Sequence, residues 1–231
     1  MAMLAGIDSG ASMERILSVE SVMDAASAIL WPEPAHEQPV EIDDVEAARA
    51  QEYALLATLL ARAPNVAMLG RIAKLRGDPS PLGVAHIDLA DAAAKADAAK
   101  VEREYFNLFI GIGRGEVMPY GSYYLTGFLH ERPLARLRED LTMLGIERVE
   151  GQYEPEDHAG ILCEIMSGTV SGQFGTPAGS DRRLFEKHLA SWLGRFFNDL
   201  EHADSADFYR SAGALGRTFM DIELEAFALP P

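Results

Sequence analysis

Residues 181–197 read DRRLFEKHLASWLGRFF. Leu184, Phe185, Leu189, Trp192, Leu193, Phe196 and Phe197 recur at helical spacing and form one broad apolar face. The next apolar series, Phe208, Ala212, Leu215, Phe219 and Ile222, alternates spacings of four and three. Two helices with faces this wide bury them against further helices. The composition agrees: roughly 60 Ala and Leu stand against about 28 Val, Ile and Thr, a balance that favours helix over strand. The expected fold class is all-α, a single-domain helical bundle whose core is lined by Leu56, Leu60, Phe106, Leu162, Trp192, Phe196 and Phe219.

Working outward, Asp43 and Asp44 suit an N-cap and first turn, and an apolar face runs through Val45, Ala48, Leu55, Leu56, Leu59 and Leu60 until Pro64. Residues 66–76 read as another helix, stopped by Gly77-Asp78-Pro79-Ser80-Pro81. A long helix is expected from Asp88 to Phe109, ending at Gly111, Gly113 and Gly115. Short helices are expected over Tyr123–Phe128 and from Pro133 to Leu144, with Gly145 as the C-cap. Glu154, Pro155, Glu156 and Asp157 read as the start of a helix reaching about Met166. Residues 168–180, with four glycines, read as a loop or hinge. Upstream, residues 12–30 place Ile16, Val19, Val22, Met23, Ala26 and Leu30 three and four apart, as in an amphipathic helix, and Pro32, Pro34 and Pro39 prevent that helix from continuing. The expected organisation is an N-terminal extension over 1–40, partly helical with a Pro-rich linker, and an all-helical domain over 41–231.

The 231 residues carry a net charge of −16, which disfavours nucleic acid and anionic membranes as partners. The single cysteine, Cys163, excludes an internal disulfide and a thiolate-rich zinc site. No apolar run approaches the ~20 residues of a membrane span, and the N-terminus lacks the basic start of a secretory signal. A cytoplasmic protein is expected. Conventional catalytic motifs are missing: there is no Lys-Ser/Thr phosphate loop, nucleophile elbow or H-E-x-x-H. Glu33 and His36 lie in the Pro-rich segment, and Glu154 and His158 have no second ligand set, so neither metal nor cofactor is expected. Cys163 reads as a small buried hydrophobe, and His130 and His188 as structural or surface residues.

Two segments concentrate residues that helix packing alone does not demand. One runs from Glu104-Tyr105-Phe106-Asn107-Leu108-Phe109-Ile110-Gly111 through the glycine loop to Met118-Pro119-Tyr120-Gly121-Ser122-Tyr123-Tyr124-Leu125; the other is Glu154-Pro155-Glu156-Asp157-His158. In order and separation they closely resemble the two signature regions of the TorD/DmsD family of cytoplasmic molybdoenzyme chaperones. The resemblance covers residues 45–227 and includes the F-x-x-H-L-x-x-W pattern at Phe185, His188, Leu189 and Trp192. It implies a non-enzymatic maturation chaperone. Such a protein binds the twin-arginine signal peptide, the apo form of a molybdopterin-dependent oxidoreductase, or both, and delays export until cofactor insertion. The implied client is of the formate dehydrogenase or dimethyl-sulfoxide-reductase type. The chaperone itself would be a monomer or a dimer swapped across 168–180.

The residues make sense of that role on their own terms. A basic pair followed by an apolar segment wants carboxylates beside an apolar groove. Residues 147–164 carry Glu147, Glu150, Glu154, Glu156, Asp157 and Glu164 against Arg148 alone. Pro119, Tyr120 and Tyr123 offer an apolar wall with hydroxyl handles; Ser122 and His158 can bond a peptide backbone; Asp157 can face an arginine. In the opening turn of a helix, Asp157 and His158 would point about 100° apart. The candidate peptide-binding residues are thus Pro119, Tyr120, Ser122, Tyr123, Glu154, Pro155, Asp157 and His158. Read purely structurally, Pro119 and Pro155 start helices, Asp157 complements a helix dipole and Tyr120 is core. Two other functions compete: a nucleotide-binding switch or hydrolase built on the Gly111–Gly115 loop, and a NarJ-like assembly factor for a nitrate reductase that is never exported.

Overall fold

The computed structural model describes residues 43–148 and 153–228. The expected N-terminal extension and Glu150 lie outside the described residues. The chain forms α1 (Asp44–Ala61), α2 (Val66–Ile72), α3 (Pro81–Lys95) and α4 (Ala98–Tyr105), followed by a π-helical turn over Phe106–Ile110. Then come α5 (Gly121–Thr126), α6 (Arg132–Met143), α7 (Ala159–Val170) and α8 (Ser180–Leu184), with a second π-helical turn at Phe185–Leu189. The last helices are α9 (Leu193–His202) and α10 (Phe208–Ala228). There is no strand among the described residues, only an isolated antiparallel bridge between Tyr120 and His158. The fold is an all-α bundle.

Local chemistry explains the helix starts. Asp43 accepts the amides of Val45 and Glu46, Asn65 that of Met68, Ser80 that of Gly83 and Asp97 that of Lys100, each a side-chain cap for otherwise unpaired donors. Helix α1 packs along α7, α9 along α10, and α10 against α3. Their shared core contains Leu56, Leu60, Leu162, Trp192, Phe196 and Phe219, all buried.

Several boundaries differ from expectation. Pro81 opens α3 behind the Ser80 cap, so the proline-rich turn starts a helix seven residues before Asp88. The expected long helix to Phe109 is broken at Ala96, where the backbone turns extended and Asp97 caps α4. Phe106, expected in the core, is 41% exposed, because the π-helical turn rotates it outward while Leu108 stays buried. Val45 and Ala48, in the first turns of α1, are exposed, and Ile222 is partly exposed. The 181–197 face is divided between α8, the π-helical turn and α9, with Trp192 in a non-helical conformation. Helix α7 continues to Val170, into the expected hinge, and buries Gly168, where an added Cβ would lie 2.3 Å from the Phe174 ring. The connection to α8 is therefore confined to 171–179.

Two buried polar clusters tie the bundle together. Arg49 of α1 donates to both oxygens of Glu223 on α10 (2.8 and 2.9 Å), and the Tyr53 hydroxyl adds a third bond to Glu223 at 2.8 Å. Arg49 also meets Glu46 and Asp181. Glu104 accepts the backbone amides of Asp207, Phe208 and Tyr209 at 2.7–3.1 Å, capping α10 from a distant part of the chain.

Candidate functional site

The second expected signature does not lie inside a helix. Glu154 to Asp157 form a turn, and α7 begins only at Ala159 with His158 as its N-cap. The reason is backbone pairing across the two signatures. The Gly121 amide donates to the Asp157 carbonyl at 2.9 Å, and the Ala159 amide to the Pro119 carbonyl at 2.8 Å. These bonds hold residues 157–159 extended against 119–121 and delay the helix.

Side chains reinforce the junction. Asp157 Oδ2 accepts the Ser122 amide at 2.7 Å, capping α5 from another segment. The Tyr120 hydroxyl donates to Glu154 Oε2 at 2.8 Å, and the Tyr120 ring meets the His158 ring edge to face at 5.3 Å. His158 Nδ1 accepts the Gly160 amide at 3.1 Å, so the ring is neutral with its proton on Nε2. Burial lowers the His158 pKa to about 4, even though the charges of Glu154 and Asp157 oppose the shift. Burial also pushes the Tyr120 hydroxyl well up, and its bond to Glu154 adds to that.

All eight expected residues converge on this junction or its edge, but with unequal exposure. Ser122, Asp157, His158 and Pro119 are buried, Tyr120, Tyr123 and Pro155 are half-buried, and Glu154 is exposed. The Tyr123 hydroxyl lies 3.5 Å from Arg114 of the glycine loop. The acidic edge is less negative than its sequence suggests. Glu156 is held between Arg138 and Arg148 at 2.8 and 2.6 Å, and against desolvation its own backbone amide, together with these guanidinium groups, keeps its carboxyl below the usual range. Arg138 comes from α6, a neighbour that sequence distance concealed.

Beside the junction lies a cleft of about 360 Å³ between α5, α6 and residues 187–192. Leu125, Pro133, Leu137, Leu162 and Trp192 supply apolar walls; Arg136, Glu139, Asp140, Lys187 and His188 supply the polar rim; Asp157 lies within it. Two buried polar atoms of the adjoining junction have no hydrogen-bond partner, Asp157 Oδ1 and the Ser122 hydroxyl, an unusual state for groups so costly to desolvate. On the rim, Asp140 accepts from His188 Nε2 at 2.7 Å and from Lys187 at 3.1 Å. Desolvation opposes ionisation of Asp140, but these two partners hold its pKa low, while burial depresses His188. An ionised Asp140 facing a neutral imidazole satisfies both shifts. The Trp192 indole donates to the His188 carbonyl at 2.6 Å, which fixes it as a wall of the cleft. His188, expected as a structural or surface residue, thus lies on the rim with Arg136, Asp140 and Lys187, none of which the sequence marks as a site residue. The His188–Trp192 spacing was the available signal.

The first signature divides by role. Its Glu104 and Tyr105 clamp the bundle, Tyr105 donating to the Leu60 carbonyl at 3.0 Å, whereas its Pro119–Tyr123 half builds the junction. No group of three or more His, Cys, Asp or Glu side chains among the described residues is arranged to hold a metal ion. No described helix is long and apolar enough to cross a membrane.

Comparisons with known proteins converge on one family. The family model for the nitrate reductase delta subunit matches residues 76–198. The chaperone protein TorD of Vibrio cholerae serotype O1 (strain O395) is 25% identical over 126 residues, 51% of this chain and 57% of the relative. TorD of Vibrio atlanticus is 20% identical over 139 residues, 56% of this chain and 65% of the relative. The chain thus spans little more than half the length of the first of these relatives. A crystal structure from Archaeoglobus fulgidus, described as a redox enzyme maturation protein, superposes with a TM-score of 0.55 at 20% identity, covering 80% of this chain and 99% of that one. Both signature segments fall within the matched range, and the chain belongs to the nitrate reductase delta subunit family, the family of TorD-type redox-enzyme maturation chaperones.

Proposed function

We propose that this protein is a non-enzymatic, cytoplasmic maturation chaperone that binds the twin-arginine signal peptide of a molybdopterin-dependent oxidoreductase, and its apo form, and delays export until the cofactor is inserted. The observation that carries this reading is the cleft beside the two-signature junction. Its apolar walls suit the apolar part of such a peptide, and Asp157, with one carboxylate oxygen unpartnered, suits a guanidinium donor. Glu154 at the exposed edge offers a second carboxylate near the half-buried Tyr120. The client is a formate dehydrogenase or an enzyme of the dimethyl-sulfoxide-reductase type.

Calorimetric titration with a synthetic twin-arginine peptide, its twin-lysine variant and GTP tests the reading. Saturable binding of the arginine peptide is expected, weaker with lysine, because only the guanidinium fork can bond a carboxylate in bidentate fashion. Affinity should fall as salt rises. Binding of GTP without the peptide would support the nucleotide-switch alternative instead. The description of the matching family as nitrate reductase delta subunit favours one further reading within the same family, assembly of a nitrate reductase. A peptide from the start of such an enzyme, lacking twin arginines, would then compete equally well.

A further inference from the structure

Phe106 and Ile110 of the first signature and Ile112 of the glycine loop all face solvent, Ile112 completely. The π-helical turn is the cause: it sends Phe106 and Ile110 outward while Leu108 is buried and Phe109 packs on Tyr105 and Tyr209. Gly111 and Gly113 flank Ile112 with φ of +62° and +95°. An added Cβ at Gly111 would lie 2.0 Å from the Arg114 carbonyl oxygen, and one at Gly115 2.4 Å from that of Leu108, so the glycines let the loop fold back on the helix end. The Glu116 and Val117 amides then donate to the Asn107 and Leu108 carbonyls at 3.1 and 2.8 Å, and the Glu116 carboxylate accepts the Asp204 and Ser205 amides. Three large apolar side chains thus project as a ridge from a pinned base, and exposed apolar patches of this kind mark interaction sites.

The ridge is bordered by cations in a chain whose net charge is −16. Arg103, Phe106 and Ile110 follow i, i+3, i+7 spacing, and Lys100, Arg103 and Arg114 are all exposed. Between residues 98 and 116 the carboxylates are Glu102, Glu104 and Glu116, of which the last two are engaged by backbone amides of residues 204–209. Arg114 comes within 3.5 Å of the Tyr123 hydroxyl, so the ridge continues the edge of the junction, yet none of its residues lines the cleft. A basic signal sequence is repelled by this border. An apolar segment flanked by carboxylates complements it.

We propose that this ridge is a second client surface, a holdase site for apolar segments flanked by acidic residues in the body of the cofactor-free client. This rests on the reading of the protein as a maturation chaperone whose junction and cleft take the signal peptide. A convex ridge suits a chain that has not yet packed, because folding of the client buries such segments and ends the contact. Two linked contacts hold an unfinished client more tightly than the signal peptide alone.

Reduced insulin is the probe, since its released B chain is apolar, carries glutamates and aggregates. The reductant spares this protein, whose single cysteine, Cys163, is free and buried. Light scattering should show that the full chain suppresses the aggregation in stoichiometric amount. Ile110→Ser with Ile112→Ser should raise the amount needed by roughly threefold or more, and Lys100→Glu with Arg103→Glu should raise it too. Val66→Ser, at an exposed site on α2, should not. No suppression by the wild type, full suppression by either folded ridge variant, or an equal loss in Val66→Ser would overturn the proposal. So would a wild-type dimer that the Ile110→Ser, Ile112→Ser variant dissolves, which would assign the ridge to a second copy of this chain. Affinity for a synthetic twin-arginine peptide should be unchanged in the ridge variants; an equal loss there would refute a separate surface. If that peptide binds none of the proteins, the signal-peptide reading fails while the insulin assay still decides the ridge.

Discussion

The Arg49–Tyr53–Glu223 cluster and the Asp157–Ser122–Tyr120 junction are both polar sites within a helical bundle, but they are completed differently. Both oxygens of Glu223 are bonded, as are both of Glu104. At the junction, Asp157 uses one oxygen for the Ser122 amide and leaves the other unpartnered, as is the Ser122 hydroxyl, beside an open cleft. A satisfied buried network holds the fold. A partly satisfied one carries a desolvation cost that a ligand can relieve. The first region therefore reads as architecture, and the second suits the recognition role proposed for it.

Breaking the architectural side should have the largest effect. Arg49→Ala leaves Glu223 buried without its cation and should destabilise the fold by about 3–5 kcal/mol, as measured by denaturant unfolding; peptide affinity in any folded fraction should be retained. A loss below about 1 kcal/mol would put the cluster on the periphery of stability. Glu104→Ala strips three amide bonds from the start of α10 and should cost about 2–4 kcal/mol.

The pH response sharpens the contrast. His158 is neutral when folded, with its pKa depressed from 6.5 to about 4. Its contribution is complete above 6.5 and is lost as pH falls from 6.5 toward 4, at up to ~1.4 kcal/mol per pH unit. Stability curves at several pH values should show this slope, and His158→Asn, which keeps an N-cap acceptor, should flatten it. An unchanged slope in the variant would assign the acid sensitivity to other groups. The smallest effect is expected for Tyr120→Phe, which removes the bond to Glu154 from a half-buried site and should cost no more than ~1 kcal/mol.

The bundle was legible because its information is periodic. Wide apolar faces in 43–60 and 208–219, and the capping residue Asp43, specify helices without reference to distant residues. The features that escaped are set by contacts between segments. Phe106 turned outward through a π-helical turn, and α7 began at Ala159 rather than near Pro155 because residues 157–159 pair with 119–121. The candidate site was legible as two signatures, which do meet in space. Its polar rim was not, since Asp140 and His188 are joined only by packing of α6 against the turn before Trp192. Nor could local charge reveal that Glu156 is shared by two arginines.

The division between architecture and recognition requires that Asp157 act mainly in recognition. Asn at this position retains a carbonyl oxygen for the Ser122 amide, so the fold should lose no more than about 1 kcal/mol. Calorimetric titration of a twin-arginine peptide into the wild type and Asp157→Asn, each checked by thermal melting, measures this directly. At least a tenfold loss of affinity is expected, equivalent to about 1.4 kcal/mol, with the melt nearly unchanged. Wild-type affinity in a folded Asp157→Asn protein would contradict the assignment of Asp157 to recognition.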